Sequence, residues 1–213
     1  MFKLYGFPVS NYYNMVKLTL LEKGLEFEEV LTRPSQKEDF LQKSPMGKVP
    51  CLVVDEGPLS ETDVILDFLE ELSSDINFYP ADPYQKAKVK ELMKSTELYL
   101  ELVARRLLGA LFFDQSLSEE LKSEITGQLE KGTTALNKLL KFEPYAAGAE
   151  LSYADIVLYY TVALSNLATK QVLNIDLEDK LPGLHAWLAL MRENSFVQAV
   201  DADQNEALKA MAG

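Results

Sequence analysis

The chain has 213 residues, 47% of them hydrophobic, enough for one large or two modest cores. Thirty-three acidic residues against twenty-one basic ones give a net charge of −12, a surface that repels a phosphate backbone and argues against nucleic acid as a partner. A single cysteine excludes an internal disulfide and a cysteine-based metal cluster.

Residues 2–7 (FKLYGF) read as a short alternating strand closed by Pro8. Residues 14–23 have helical spacing and stop at Gly24, a suitable C-terminal cap. FEEVLT forms a second strand, followed by a polar stretch from Arg33 to Lys43. CLVVDEG resumes strand character with a tight turn at Asp55-Glu56-Gly57, and LSETDVILDFLEEL ends this unit with extended chain and an amphipathic helix. A linker near 74–82 then leads to wholly helical sequence. Val89, Leu92, Met93, Thr96, Leu100, Val103 and Leu107 recur at three and four, the stripe of one long packed helix. A second helix spans roughly 118–142 and breaks at Pro144. A third opens at Leu151, where Ser152 and Asp155 form a capping box and Leu151 staples onto Ile156. A fourth follows Pro182. The expectation is an α/β plus all-α protein: a small α/β domain over 1–76 and a helical domain over 83–213.

In SPMGKVPCLVV, Pro50 sits where a buried strand begins and cannot donate to a ladder. The pairing it leaves open needs a partner. Further on, Ser60-Glu61-Thr62-Asp63 puts a hydroxyl at a helix start, a ready anion site or a simple cap.

KLYGFPVSNYYNMVKLTLLEKGL, SPMGKVPCL, LSETDVILDFLEEL and LSYADIVL together resemble the cytosolic glutathione transferase family, and the resemblance covers nearly the whole chain. It implies a thioredoxin-like N-terminal domain followed by a C-terminal helical bundle, with Val49-Pro50 cis and the Val49 backbone pairing with glutathione like an added strand. It further implies Glu61 against the ligand's ammonium, Thr62 on its γ-glutamyl carboxylate, and Lys48 and Gln36 near its glycyl carboxylate. Ser10 aligns with the thiol-activating serine of the serine-type classes; Asn11 and Tyr5 occupy positions used by other members. Where the family often has an arginine this chain has Met15, and its catalytic loop carries no cysteine. Tyr12, Tyr99, Arg106 and Phe113 are the acceptor-pocket candidates.

The resemblance implies a transferase that joins the glutathione thiolate to small, largely apolar electrophiles, with glutathione as co-substrate and no metal. A non-catalytic binding module and a glutathione-dependent isomerase or peroxidase on the same scaffold remain open alternatives. A homodimer in a reducing cytoplasm, without membrane association, is the accompanying expectation. Cys51 reads as a packed core thiol and His185 as a structural residue.

Overall fold

The computed structural model describes residues 1–72 and 76–212, so part of the expected 74–82 linker lies outside the described residues. By contacts the chain divides into two compact units, Met1–Asn77 with Arg192–Gly213, and Phe78–Met191.

The first unit begins β1 (Phe2–Gly6), α1 (Asn11–Glu22), β2 (Phe27–Leu31), followed by a four-residue helix α2 (Glu38–Leu41) within the polar stretch. It continues β3 (Cys51–Val54), β4 (Gly57–Ser60) and α3 (Thr62–Glu71). The strands form one sheet in the order β2-β1-β3-β4, the thioredoxin-like arrangement. β1 runs parallel to β2 and antiparallel to β3, and β3 runs antiparallel to β4. Register is held by burial: Leu4 pairs with Leu52, both fully buried, and a one-residue slip of either strand would turn its leucine toward the opposite face. Helix α1 is buried over most of its length, from Tyr13 to Leu20. Its last turn is fastened by Lys23, whose fully buried ammonium meets Glu70 at 3.0 Å and donates to the Ile76 carbonyl at 2.7 Å.

The second unit opens with α4 (Pro83–Thr96), capped by Asp82, whose carboxylate accepts from the Gln85 N–H at 2.9 Å. The apolar stripe predicts one uniform helix through Leu107. Instead the trace widens to a π-turn at Glu97–Glu101, continues as α5 (Leu102–Ala104), tightens to a 3₁₀ turn at Arg105–Leu107, and ends as α6 (Leu108–Phe112). Periodicity cannot register such a widening, because the stripe shifts by only one residue. Close packing against α7 (Glu119–Leu136) accompanies it: a methyl added at Gly132 would lie 2.1 Å from the Tyr99 carbonyl oxygen.

Helix α7 ends at Leu136, not near 142. The following segment turns, with Lys141 N–H donating to the Ala146 carbonyl, Phe142 at φ +51° and a cis Glu143–Pro144 bond. Helix α8 (Tyr153–Leu173) begins at the expected cap. The Asp155 carboxylate accepts from the Ser152 N–H and hydroxyl, both at 2.9 Å, from the Ala146 N–H at 2.6 Å and from Trp187 Nε1 at 2.9 Å. Trp187 belongs to α9 (Leu184–Met191), so one buried carboxylate ties three segments together. Burial pushes its pKa up, and the four hydrogen bonds oppose that rise.

The last helix, α10 (Ser195–Ala212), groups by contacts with the first unit. Sequence order assigns it to the helical domain; it packs on α1 of the first unit. Lys17 reaches Asp203 at 2.7 Å, and Asn194, just before α10, hydrogen-bonds Glu22. No helix among the described residues is long and apolar enough to cross a membrane.

Replacing Asp155 by Ala leaves three buried N–H donors without an acceptor. We expect a loss of about 3–5 kcal/mol in urea unfolding, with secondary structure intact before the transition.

Candidate functional site

A single row of the sheet locates the site. Val30, Tyr5, Cys51 and Ser60 stand side by side across β2, β1, β3 and β4. Just beyond that row the chain runs into the Phe7–Ser10 loop from β1 and into Glu61-Thr62 from β4, and it enters β3 from Val49-Pro50. Three segments distant in sequence therefore meet at one end of the sheet. The Thr32 N–H donates to the Gly6 carbonyl at 2.8 Å and brings the end of β2 to the same edge.

The Val49–Pro50 bond is cis, as expected. The β1–β3 ladder stops at Cys51, and the Val49 N–H and C=O enter no hydrogen bond among the described residues. Val49 is only half-buried, so both groups can serve an extended peptide laid along them.

Two helices begin here. Ser10 caps α1 with φ −75° and ψ 115°, and its Oγ accepts from the Tyr13 N–H at 3.3 Å. Because Oγ takes that bond as an acceptor, its proton stays free to donate outward. Glu61 caps α3 at φ +68°, a left-handed conformation costly for a residue with a side chain. Thr62 follows as the first helical residue, 8% exposed, and its hydroxyl meets no partner among the described residues. Helix N-termini carry partial positive charge and orphan N–H groups, so both ends attract anions.

Lys48 and Gln36 border the same loop. The Ser35 N–H donates to the Gly47 carbonyl at 2.9 Å, Gln36 Nε2 to the Met46 carbonyl at 3.2 Å, and the Lys48 N–H to Ser44 Oγ at 3.2 Å. Gly47, at φ +64°, leaves no room for a side chain, since its Cβ would lie 2.2 Å from the Ser35 carbonyl oxygen. Sequence reasoning passed over Arg33, which stands 5.6 Å above the Phe7 ring and restores a positive charge near the loop despite Met15. A cation–π contact between separate loops leaves no sequence signal.

The rivals of Ser10 fare differently. Asn11 is 1% exposed, its side chain within the protein. Tyr5 shares its sheet face with Cys51, opposite the face of Gly6 and α1. There it lines a separate concavity of about 260 Å³ with Thr32, Ser35, Lys37 and Lys43. Cys51 is fully buried, its Sγ hydrogen-bonded to the Lys43 carbonyl at 3.3 Å, and burial pushes its pKa to about 11. That thiol is inert packing.

Of the acceptor candidates, Tyr12 lies on the first turn of α1. Tyr99 is half exposed on the π-turn, and Phe113 is exposed beyond α6. Arg106 donates to Glu124 at 3.0 Å and to Gln128 at 3.1 Å, both on α7. None of Tyr99, Arg106 and Phe113 lines the open groove of about 640 Å³ along α7 between Gly127 and Leu139. His185 is exposed and faces Glu178 at 2.9 Å. No group of three or more metal-ligating side chains occurs among the described residues.

A buried polar cluster braces the first turn of α1. The Tyr13 ring lies against Gly6, where an added methyl would sit 2.2 Å from Cδ2, and its hydroxyl donates to Glu29 on β2. Burial first, then the Glu29 contact, raises the phenol's pKa, so Tyr13 stays a donor. Lys17 meets Glu29 at 2.8 Å and Asp203 at 2.7 Å. Burial works against that charge, but the hydrogen bonds to Asp203 and Glu29 outweigh it and raise the ammonium's pKa.

A four-stranded sheet with an unpaired strand entry between two helix N-termini is an arrangement that can accept an extended, anionic peptide. Comparison with known proteins makes the class specific. Residues 4–76 match the glutathione S-transferase N-terminal domain and residues 119–190 the C-terminal domain. A glutathione S-transferase of Pseudomonas putida is 45% identical over 210 residues, covering 99% of this chain and 96% of its own. A crystal structure of a glutathione S-transferase from Pseudomonas fluorescens aligns with a TM-score of 0.77 at 26% identity, over 92% of this chain and 96% of that one. Glutathione transferase E6 of Drosophila melanogaster shares the fold with a TM-score of 0.82 at 23% identity, over 100% and 96% of the two chains. The chain belongs to the glutathione S-transferase family.

Because its folded pKa lies above the ordinary 10.5, Lys17 contributes stability that is fully present below that pH and is lost as pH climbs through the raised value. The difference in unfolding free energy between the wild type and Lys17→Met should be flat near neutrality and shrink above pH 10.5.

Proposed function

We propose that the protein conjugates glutathione to small, largely apolar electrophiles, with Ser10 as the group that stabilises the thiolate. The observation that carries this reading is the open Val49 backbone flanked by the N-termini of α1 and α3. The cysteinyl part of the tripeptide pairs with Val49, extending the sheet by one short strand. Its γ-glutamyl carboxylate sits on the Thr62 N–H and hydroxyl, while Glu61 faces its ammonium. Lys48 and Gln36 lie on the side of the glycyl carboxylate.

This seating brings the sulfur toward Ser10. A free thiol near pKa 8.5 is mostly protonated at neutral pH. A hydroxyl donor and a helix N-terminus favour the anion, so the proton leaves to solvent and the lone pair stays on sulfur. The thiolate then attacks the electrophilic carbon: a carbon–sulfur bond forms, the bond to the leaving group breaks, and the leaving group departs with its electron pair. Held next to its target, the thiolate reacts without the cost of a bimolecular encounter. The half-buried position of Ser10, against the burial of Asn11 and the opposite-face placement of Tyr5, supports Ser10 as the activator.

The test is conjugation of glutathione to a chlorinated nitrobenzene, followed through the absorbance of the product. The wild type should turn over, and Ser10→Ala should lower kcat by roughly ten- to a hundredfold at neutral pH while still binding glutathione. Tight binding with no turnover by the wild type would make the protein a binding module instead.

A further inference from the structure

The capping contact at Ser10 is long. Its Oγ lies 3.3 Å from the Tyr13 nitrogen, at the outer edge of hydrogen bonding, and a hydroxyl held so loosely has no fixed direction. Something else must aim it. The loop before it is a tight turn, closed by the Ser10 N–H donating to the Phe7 carbonyl at 3.0 Å and anchored by Val9, 9% exposed.

One residue grips this turn from the helix. The Asn14 N–H donates to the Ser10 carbonyl at 3.1 Å, the ordinary first bond of α1. Its side-chain Nδ2 reaches further back, past Ser10, and donates to the Pro8 carbonyl at 2.8 Å. The orientation of the amide follows from chemistry, since a proline carbonyl can only accept. Asn14 therefore holds both the Pro8 carbonyl and the carbonyl of Ser10 itself. Helix formation requires the first of these bonds and not the second.

Stability does not account for an asparagine here. Asn14 is fully buried in the apolar helix segment with Met15, Val16 and Leu18. Its Oδ1 is buried with no hydrogen-bond partner. A buried amide with one end unpaired costs stability, and asparagine is a poor helix former; leucine, of similar size, would avoid both penalties. What asparagine alone provides is the tie to Pro8.

We propose that Asn14 is a positioning residue for the reaction: by fixing the Pro8–Ser10 backbone it directs the Ser10 hydroxyl at the bound thiol. This rests on the reading of Ser10 given above. In that scheme Asn14 never touches glutathione. It acts through Ser10, and its loss raises the barrier to the thiolate reaction without weakening the seat of the tripeptide.

The experiment uses four full-length variants: Ser10→Ala, Asn14→Leu, Asn14→Asp, and Ser10→Ala combined with Asn14→Leu. Asn14→Asp keeps the shape and removes the donor, and stands in where the leucine variant fails to fold. For each, the ultraviolet absorbance of bound thiolate is followed against pH, with kcat, the glutathione Kd and the thermal midpoint. Both Asn14 variants should move the ionisation of bound glutathione toward that of the free tripeptide and lower kcat roughly tenfold or more, with Kd changed by less than about twofold. Asn14→Leu should keep or raise the midpoint, and the double variant should match Ser10→Ala alone. Wild-type ionisation and kcat in both Asn14 variants, with Ser10→Ala still impaired, would overturn the role of Asn14 and leave that of Ser10 standing. Wild-type ionisation in Ser10→Ala would overturn the Ser10 reading, and the Asn14 proposal with it. Unfolding of both Asn14 variants, or multiplying effects in the double variant, would make Asn14 a structural residue only.

Discussion

The antiparallel ladder between β1 and β3 runs from Lys3–Val53 to Tyr5–Cys51 and stops there, because the residue just before β3, Pro50, has no N–H to give. Leu4 and Leu52 fix its register from the core side, so the stopping point cannot move. Everything else at the site is placed relative to it. Ser60 lies beside Cys51, so α3 begins at that edge; the Phe7–Ser10 loop leaves β1 there, so α1 begins at the same edge. The unpaired Val49 backbone lies between them.

An acidic protein can hold an anionic peptide when the charge at the site differs from the charge of the whole. The total is −12, yet the site draws on two helix N-termini, with Arg33 and Lys48 on the neighbouring loops. Fixed backbone dipoles of this kind need no reorganisation when a thiolate forms. The supporting frame is rigid for identifiable reasons: Lys23 with Glu70 locks α1 to α3, and Lys17 with Glu29 and Asp203 joins α1 to β2 and α10. The left-handed backbone of Glu61 is local strain at this edge, held in place by β4 and α3 on either side.

What could be read in advance follows from the range of the interactions. The strand segments and the capping box at Ser152 lie in contiguous stretches with their own chemistry, and the cis Val49–Pro50 bond follows from the family resemblance of SPMGKVPCL. The partnership of Lys17 with Asp203 spans 186 positions, and no pattern along the chain announces that α10 packs on α1. The π-turn at Glu97–Glu101 stayed hidden because it keeps the apolar stripe nearly in phase. The partners of Arg106, Glu124 and Gln128, lie on the next long helix, where no local pattern points to them. Asn14 offered a faint clue: a polar residue in the apolar run of α1, legible only once its contact with Pro8 is seen.

The central claim is that an interrupted sheet edge between two helix starts receives the tripeptide backbone. A crystal structure with glutathione bound tests it most directly. The account predicts paired hydrogen bonds between the ligand and Val49 N–H and C=O, the γ-glutamyl carboxylate on Thr62, and the sulfur within about 3.5 Å of Ser10 Oγ. Glutathione seated elsewhere, with the Val49 backbone still unpaired, would contradict it.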